Sequence, residues 1–508
     1  MRRARLLLSV GLILFLLLAG CNQSPVSSTS PNYSGANSDA QVSLSMTDEP
    51  PSGVTVLFFQ ISLTAAYLTP AMGSTTTSLL NNNTPIQVDV TQLQAISAFL
   101  STANVPAGTY NNLTLSFANP QLVIFNAADQ ALASTCPLNT VCQLTPSVDN
   151  SSTLTFSSAP FPVAVDQSTP LGFLLDFHLN QVIQSDLSVN LGVANGVTVG
   201  ELPSAPPSGF PPFGFLVGTV ESVSTSSSSS PQFTLQTRFG RTFTIDVNSS
   251  TSYQNFPTSV CGTGSFSCLA TGQVVQVQVA NVETSGTLLA ADVSFVQVPG
   301  QQVVEANIIG LSTSNGATVM KLLLHWSPDS GSLPFGGVAT ATVSPTATFS
   351  VGSGNFTIPS GLSFTNTSDL VVGQQVEVGV VAGSLANSTG SGPWSPPSVS
   401  FTTDTVELEP SQITGGVTAT NASAASFTLT TLPNFFAFWS NQSGWMPMTF
   451  TVDTTSQTVY LGLSSDSFAG VTSNSMVSVR GWLFSTPSSA TASTLVAETV
   501  LGRPQGFF

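Results

Sequence analysis

The sequence predicts an all-β protein: an N-terminal β-sandwich-like domain followed by three small β-barrel modules of about five strands each. Three observations carry this. Apolar residues alternate with polar ones along the chain, as at Val42, Leu44 and Met46 or Leu113, Leu115 and Phe117, the pattern of strands with one face in a core. Pro and Gly, 33 and 40 of the 508 residues, break these runs at turn spacing. One order of strand-like segments recurs three times in the second half of the chain.

The first domain covers 41–200. Its opening strand, around Val42 to Met46, meets a turn at Thr47-Asp48-Glu49-Pro50-Pro51, and Val54 to Leu63 form the second strand. Pro106-Ala107-Gly108-Thr109-Tyr110 is a turn ahead of the Leu113 strand, and Leu175, Phe177 and Leu179 alternate with Asp176 and His178. The expected result is an antiparallel sheet with one wet face. One helical stretch is expected near Thr91–Leu100, where Leu93, Ile96 and Leu100 share a face. Five prolines in 201–214 mark a linker and a domain boundary.

The three modules occupy 215–300, 304–409 and 411–503. The first passes through Gly218-Thr219-Val220, Phe233-Thr234-Leu235 and Phe243-Thr244-Ile245, then Gly272-Gln273-Val274-Val275-Gln276-Val277, and closes with Leu289-Ala290-Ala291-Asp292-Val293. The second repeats the fourth segment as Gly373-Gln374-Gln375-Val376-Glu377-Val378. The third shows Phe427-Thr428-Leu429, Phe450-Thr451-Val452-Asp453, Met476-Val477-Ser478-Val479-Arg480 and Leu495-Val496-Ala497-Glu498.

The N-terminus carries a targeting pattern. Arg2, Arg3 and Arg5 precede an apolar run from Leu6 to Leu18, short for a permanent membrane span, which needs roughly 20 residues, and of the length of a signal core. Leu18-Ala19-Gly20-Cys21 resembles the bacterial lipobox. Residues 1–20 are therefore read as a signal peptide and Cys21 as the lipid-attachment residue. Several acyl chains on one cysteine anchor a protein stably. Residues 21–40, rich in Ser, Pro and Asn, form a lipidated flexible tether. Residue 22 is Asn rather than Asp, which favours the outer membrane.

Charge narrows the chemistry. With the signal removed, five basic residues face 24 acidic ones, a net charge of −19. Charged residues are only 6% of the chain, so its polar surface is built from Ser, Thr, Asn and Gln. Phosphate recognition needs Lys and Arg, and Arg238 and Arg241 at one hairpin read as a solvated tip. No nucleic-acid partner is expected. Four further cysteines form two local pairs, Cys136 with Cys142 and Cys261 with Cys268. In an exported chain these read as disulfides. Zinc is the rival reading, though neither pair has the second pair of ligands that zinc needs.

No Gly-x-Ser-x-Gly elbow, facing carboxylate pair or Gly-rich phosphate loop is legible, so the chain is read as no enzyme, with no cofactor and no metal site. Asp176 and His178 could share a metal but read as exposed strand residues. Asp48 and Glu49 read as turn residues or calcium ligands. One aromatic constellation stands out. Trp326-Ser327-Pro328-Asp329-Ser330-Gly331 aligns with Trp439-Ser440-Asn441-Gln442-Ser443-Gly444, and Trp445 follows. Trp326, Trp439 and Trp445 either stack on sugar rings or pack between modules.

Two resemblances add to this. The Ser-Leu-Ser-Met-Thr-Asp-x-Pro strand at 43–50, Val-Asp-Val-Thr-x-Leu at 88–93, the Pro-Ala-Gly-Thr-Tyr turn at 106–110 and Leu-Leu-Asp-Phe at 174–177 resemble a family of unknown function at the N-terminus of bacterial lipoproteins. That resemblance implies an envelope location and a β-sandwich-like domain. The repeats resemble a second family of unknown function, whose modules are small barrels related to the oligonucleotide/oligosaccharide-binding (OB) fold. The expected function is a non-catalytic binding, scaffold or adhesin-like role in the cell envelope. The alternative is a carbohydrate-binding lipoprotein of a glycan-uptake system. The expected partners are the membrane, through the lipid, and glycans or other envelope proteins.

Overall fold

The computed structural model describes residues 39–503 apart from 50–54, 74, 81–84, 94–96, 127–135, 138–140, 149–151, 168–170, 185, 203–213, 225–230, 238–240, 257–260, 262–263, 284, 298–301, 328–331, 354–355, 389–397, 432–448 and 486–492. The signal, Cys21, nearly all of the tether, the core of the Pro-rich linker, and Trp439 and Trp445 thus lie outside the described residues. Almost all regular structure is β, as the alternation predicts. Among the described residues no helix is long and apolar enough to cross a membrane.

The strands of the N-terminal domain are β1 (Asp39–Glu49), β2 (Thr55–Pro70), β3 (Thr77–Ser78), β4 (Ile86–Asp89), β5 (Ala98–Pro106), β6 (Gly108–Phe125), β7 (Val141–Leu144), β8 (Thr153–Phe156), β9 (Val163–Val165), β10 (Leu171–His178) and β11 (Val197–Glu201). One sheet has the order β11-β10-β1-β5, and a second is built on the long β2–β6 pair. Val42, Leu44 and Met46 from the first sheet and Phe59, Ile61, Leu113, Leu115 and Phe117 from the second enter one core. Two sheets sharing a core make a sandwich.

Three details depart from the sequence reading. β1 and β10 pair in parallel, with Leu44 opposite Phe173, instead of antiparallel. The second face of β1 is not wet, since Gln41, Ser43 and Ser45 are buried; Gln41 accepts from Thr102 at 2.9 Å, and Gly286 of the following module lies against it. The expected helix at Thr91–Leu100 is one 3-10 turn at Val90–Leu93, followed by strand β5 from Ala98. β5 is buried on both faces along Phe99–Thr102, which removes the alternation that would have announced a strand.

The first barrel comprises β12 (Phe215–Ser224), β13 (Gln232–Thr237), β14 (Thr242–Asp246), β15 (Ser252–Gln254), β16 (Val274–Val282) and β17 (Leu288–Gln297). β12 pairs β13, β13 pairs β14, β14 pairs β17 in parallel, β17 pairs β16, and β16 returns to β12. The second barrel, β18 (Gln302–Ser314), β19 (Ala317–Trp326), β20 (Val338–Val351), β21 (Gln375–Val380), β22 (Ala386–Ser388) and β23 (Ser398–Glu409), closes in the same order through β18-β19-β20-β23-β21. So does the third: β24 (Ser411–Asn421), β25 (Ser426–Thr431), β26 (Thr449–Asp453), β27 (Val459–Leu461), β28 (Met476–Ser485) and β29 (Ser493–Arg503). Each ring is a five-stranded Greek-key barrel of OB type.

One local device repeats in all three. A short 3-10 turn, at Phe266–Cys268, Thr367–Asp369 and Phe468–Gly470, precedes a residue of positive φ: Gly272 at 89°, Gly373 at 98° and Asn474 at 70°. Gly and Asn tolerate that conformation best. Their N–H groups donate to the carbonyls of Val220, Ile308 and Val417, pinning the fourth ring strand to the first. Gln273 and Gln374 also cap alike: each side chain accepts from the backbone N–H three residues before it, at 2.8 Å, and donates to the carbonyl five residues before it, at 3.1 Å.

The described residues, from Asp39 to Arg503, cluster as one compact unit. Trp482, Phe484 and Val496 of the third barrel enter the core of the second. Phe58 and Phe125 of the N-terminal domain join a core with Leu323 and with the third barrel. Arg241 corrects the sequence reading. It is not a solvated tip: it is buried, donates to the Leu100 carbonyl of the N-terminal domain, and lies 4.8 Å from the Phe243 ring centre. Burial lowers its pKa to about 10.

Candidate functional site

Inside each barrel the apolar residues face the core, so alternation sends their polar neighbours outward. Outward residues from all four domains converge on one cavity of about 420 Å³. The N-terminal domain contributes Gln60, Gln87, Asp89 and Gln92, and the first barrel Gln276, Gln278 and Asp292. The second contributes Glu305, His325, Trp326, Glu377 and Glu409, and the third Gln412, Arg480, Trp482 and Glu498. Asn255, exposed, stands at its rim.

The second barrel supplies the charge. Val304, Val376, Val378, Val406 and Leu408 are buried in its core, so Glu305, Glu377, Glu407 and Glu409 point the other way. The register sets Glu305 opposite Glu377 and Glu377 opposite Glu407, while Gln375 faces Glu409. Like charges directly opposite one another destabilise a sheet. Burial, with Glu407 and Glu305 adding repulsion, holds the Glu377 carboxyl well above the ordinary range. Glu409 is raised by burial, then by Glu407, Glu377 and Glu305, and Arg480 only partly offsets this.

The partners of these groups are specific. Gln375 donates to Glu305, and Ser350 hydrogen-bonds Glu407. Arg480 is ion-paired with Glu498; burial lowers its pKa and Glu409 and Glu305 raise it. Gly352 permits the close approach here, since a Cβ on it would lie 2.2 Å from Glu409 Oε1. The Gly352 carbonyl accepts from Trp482 Nε1 at 3.2 Å.

Elsewhere in the lining, His325 Nδ1 is 2.8 Å from Asp89 Oδ2, and His325 Nε2 is 2.6 Å from Asn307 Oδ1. Thr91 Oγ1 donates to Asp89 at 2.5 Å. This network ties the N-terminal domain to the second barrel. Gln412 of the third barrel donates to the Gln92 carbonyl. Asp292 accepts from Ser252, and from Ser294 at 2.6 Å; burial raises its pKa against these bonds.

Of the aromatics singled out in the sequence, Trp326 lies half-buried on the cavity wall at the end of β19. Trp482, which the sequence reading passed over, also lines the cavity and packs on Phe356 with ring centres 4.8 Å apart. Cys136–Cys142 and Cys261–Cys268 are disulfides with Cα atoms 5.3 Å apart in each. His178 is buried, 3.9 Å from Asp176, in place of the exposed position expected. Among the described residues no group of three or more His, Cys, Asp or Glu is arranged to hold a metal ion.

The glutamates were missed although a signal existed. In a chain with so few charges, Val304-Glu305-Ala306, Val376-Glu377-Val378 and Val406-Glu407-Leu408-Glu409 place carboxylates on alternate positions of strands from a single module.

Residues 39–193 match a domain of unknown function, DUF4382. The match covers the sandwich domain and none of the barrels. No curated protein is significantly similar to the chain. A solved structure, drosophila Unr CSD456, is similar at 11% identity, covering 57% of this chain and 98% of that one, with a TM-score of 0.13. At that score the likeness speaks to neither fold nor function.

Taken chemically, the cavity offers amide donors and acceptors, an indole wall and carboxylates away from bulk water. Polar contacts strengthen in such surroundings.

Proposed function

We propose that this chain is an exported lipoprotein, anchored through Cys21 in the outer membrane, with a non-catalytic binding role exerted through the cavity shared by its four domains. The observation behind the binding role is the cavity itself, while the lipobox-like Leu18-Ala19-Gly20-Cys21 supports the anchor. Its size falls within the roughly 300–1,000 Å³ of small-molecule sites, and its polar lining comes from every domain.

A second reading is carbohydrate binding in a glycan-uptake system. Gln60, Gln87, Gln276, Gln278 and Gln412 beside Trp326 favour it, because uncharged amides and an aromatic face suit sugar rings. Nucleic acid is no partner in either reading, since Arg480 and His325 are the basic residues of the lining and phosphate contacts need more.

Two experiments test the proposal. Metabolic labelling with tritiated palmitate should mark the wild-type chain and not Cys21→Ser. Native mass spectrometry of the chain purified from its own envelope should show a small-molecule adduct. No adduct, with no binding of sugars or amines in equilibrium dialysis, would end the reading of the cavity as a ligand site.

A further inference from the structure

We infer that the cavity takes an organic cation, a small amine-bearing molecule, with Glu377 as its main counter-charge and Trp326 and Phe335 as its apolar wall. This rests on the reading of the cavity as a ligand site, and it names the ligand class.

Other carboxylates that line the cavity have hydrogen-bond or ion-pair partners. Asp89 is matched by His325 and Thr91, and Asp292 by Ser252 and Ser294. Glu305 has Gln375, and Glu498 has Arg480. Glu377 is left over. No donor among the described residues reaches its carboxylate, and the half-buried side chain lines the cavity. Glu409, beside it, shares Arg480 with Glu305 and Glu498. Buried carboxylates are otherwise paired or hydrogen-bonded, because removing one from water is costly. A ligand bringing positive charge removes that cost.

The geometry favours an organic cation over a metal ion. Strands lie about 4.8 Å apart, so carboxylates on neighbouring strands form a row and not a cage, and no three converge on a point. The indole of Trp326 and the ring of Phe335 line the same space. Aromatic faces attract ammonium groups within about 6 Å. A neutral sugar would leave the surplus charge in place.

The test is calorimetry on the purified full chain at about 0.15 M salt, where surface attraction is screened. The probes are 1,4-diaminobutane, its uncharged analogue 1,4-butanediol, glucose and calcium chloride. The diamine should bind at least about tenfold tighter than the diol, the effect of one compensated charge. Glu377→Gln should abolish that preference while keeping the circular dichroism spectrum, and the exposed Glu221→Gln should retain it. If Glu377→Gln does not fold, Glu377→Ala serves in its place with the same expectation. A diamine that binds no better than the diol, a preference that survives both variants, or binding of calcium alone would overturn the inference. Glucose binding without diamine binding would leave the ligand site standing and remove the cation. Binding of none of the probes, with no adduct on the native chain, would remove both.

Discussion

The first and second barrels close the same ring and use the same Gln cap, yet they face the shared cavity with different chemistry. The hydrogen bonds from Gly272 and Gly373 back to the first strand make Gln276 and Glu377 equivalent positions. Inward neighbours are equivalent too, Val275 with Val376 and Val277 with Val378, all fully buried. The fold is written in the inward residues and the binding chemistry in the outward ones. A repeat can therefore change its ligand without touching its core.

The largest effects should come from breaking what the two barrels share. Val275→Asp and Val376→Asp each bury an unpaired charge in a barrel core, at a cost above about 3 kcal/mol. Urea midpoints should fall by similar amounts in the two variants. A second barrel that tolerated the change would mean its core is not equivalent.

Next in size is the exchange at the outward position. The Glu377 and Glu409 carboxyls are raised above the ordinary value of 4.5. Their folded form therefore holds protons more tightly than the unfolded chain. The stability they contribute is complete below that ordinary value and lost as pH rises through the elevated one. Glu305 and Glu407 on the neighbouring strands add to the rise, and Arg480 from the third barrel opposes it at Glu409. Glu377→Gln should be more stable than wild type by about 2 kcal/mol at pH 8 and indistinguishable from it at pH 4. Gln276→Glu should do the reverse in the first barrel. Melting curves across pH decide this; a pH-independent gain would mean that ionisation of Glu377 is not the cause.

The connection before the fourth ring strand offers a smaller contrast. The first barrel fastens it with Cys261–Cys268, whose short loop is worth about 2 kcal/mol by chain entropy. The second uses Asp369, which accepts from the N–H of Thr365 at 2.7 Å and of Asn366 at 3.3 Å, a cap worth about 1 kcal/mol. Cys261→Ser with Cys268→Ser should cost about twice what Asp369→Ala costs, and reductant should lower the melting point of wild type by more than that of the cysteine variant, which keeps Cys136–Cys142. Equal losses would show that the disulfide adds nothing beyond local packing.

The strands were largely legible because one face of each is apolar and the other polar. The reading failed where that contrast vanishes. β5 is buried on both sides and looked helical around Leu93 and Leu100, and the polar face of β1 looked wet although Gln41, Ser43 and Ser45 are buried, with Gly286 of the first barrel against Gln41. Arg241 misled for the same reason: two arginines at a hairpin resemble a surface, and nothing local announces that a carbonyl from another domain waits for one of them. Trp326 was singled out for its place in a repeated segment. Trp482 carried no such mark, because its role depends on packing against Phe356 and Gly352 of a different barrel.

By itself the sequence determined what depends on near neighbours: strands from alternation, turns from Gly, Asn and Pro, disulfides from paired cysteines, and three rings from a pattern written three times. Tertiary structure alone decided which outward faces meet. Period two fixes that Glu305, Glu377 and Glu409 leave the second barrel, but not that Arg480, Gln276 and Gln92 line the same cavity. That depends on how four domains dock, and docking is governed by the complementarity of whole surfaces, which no local spacing in the chain encodes.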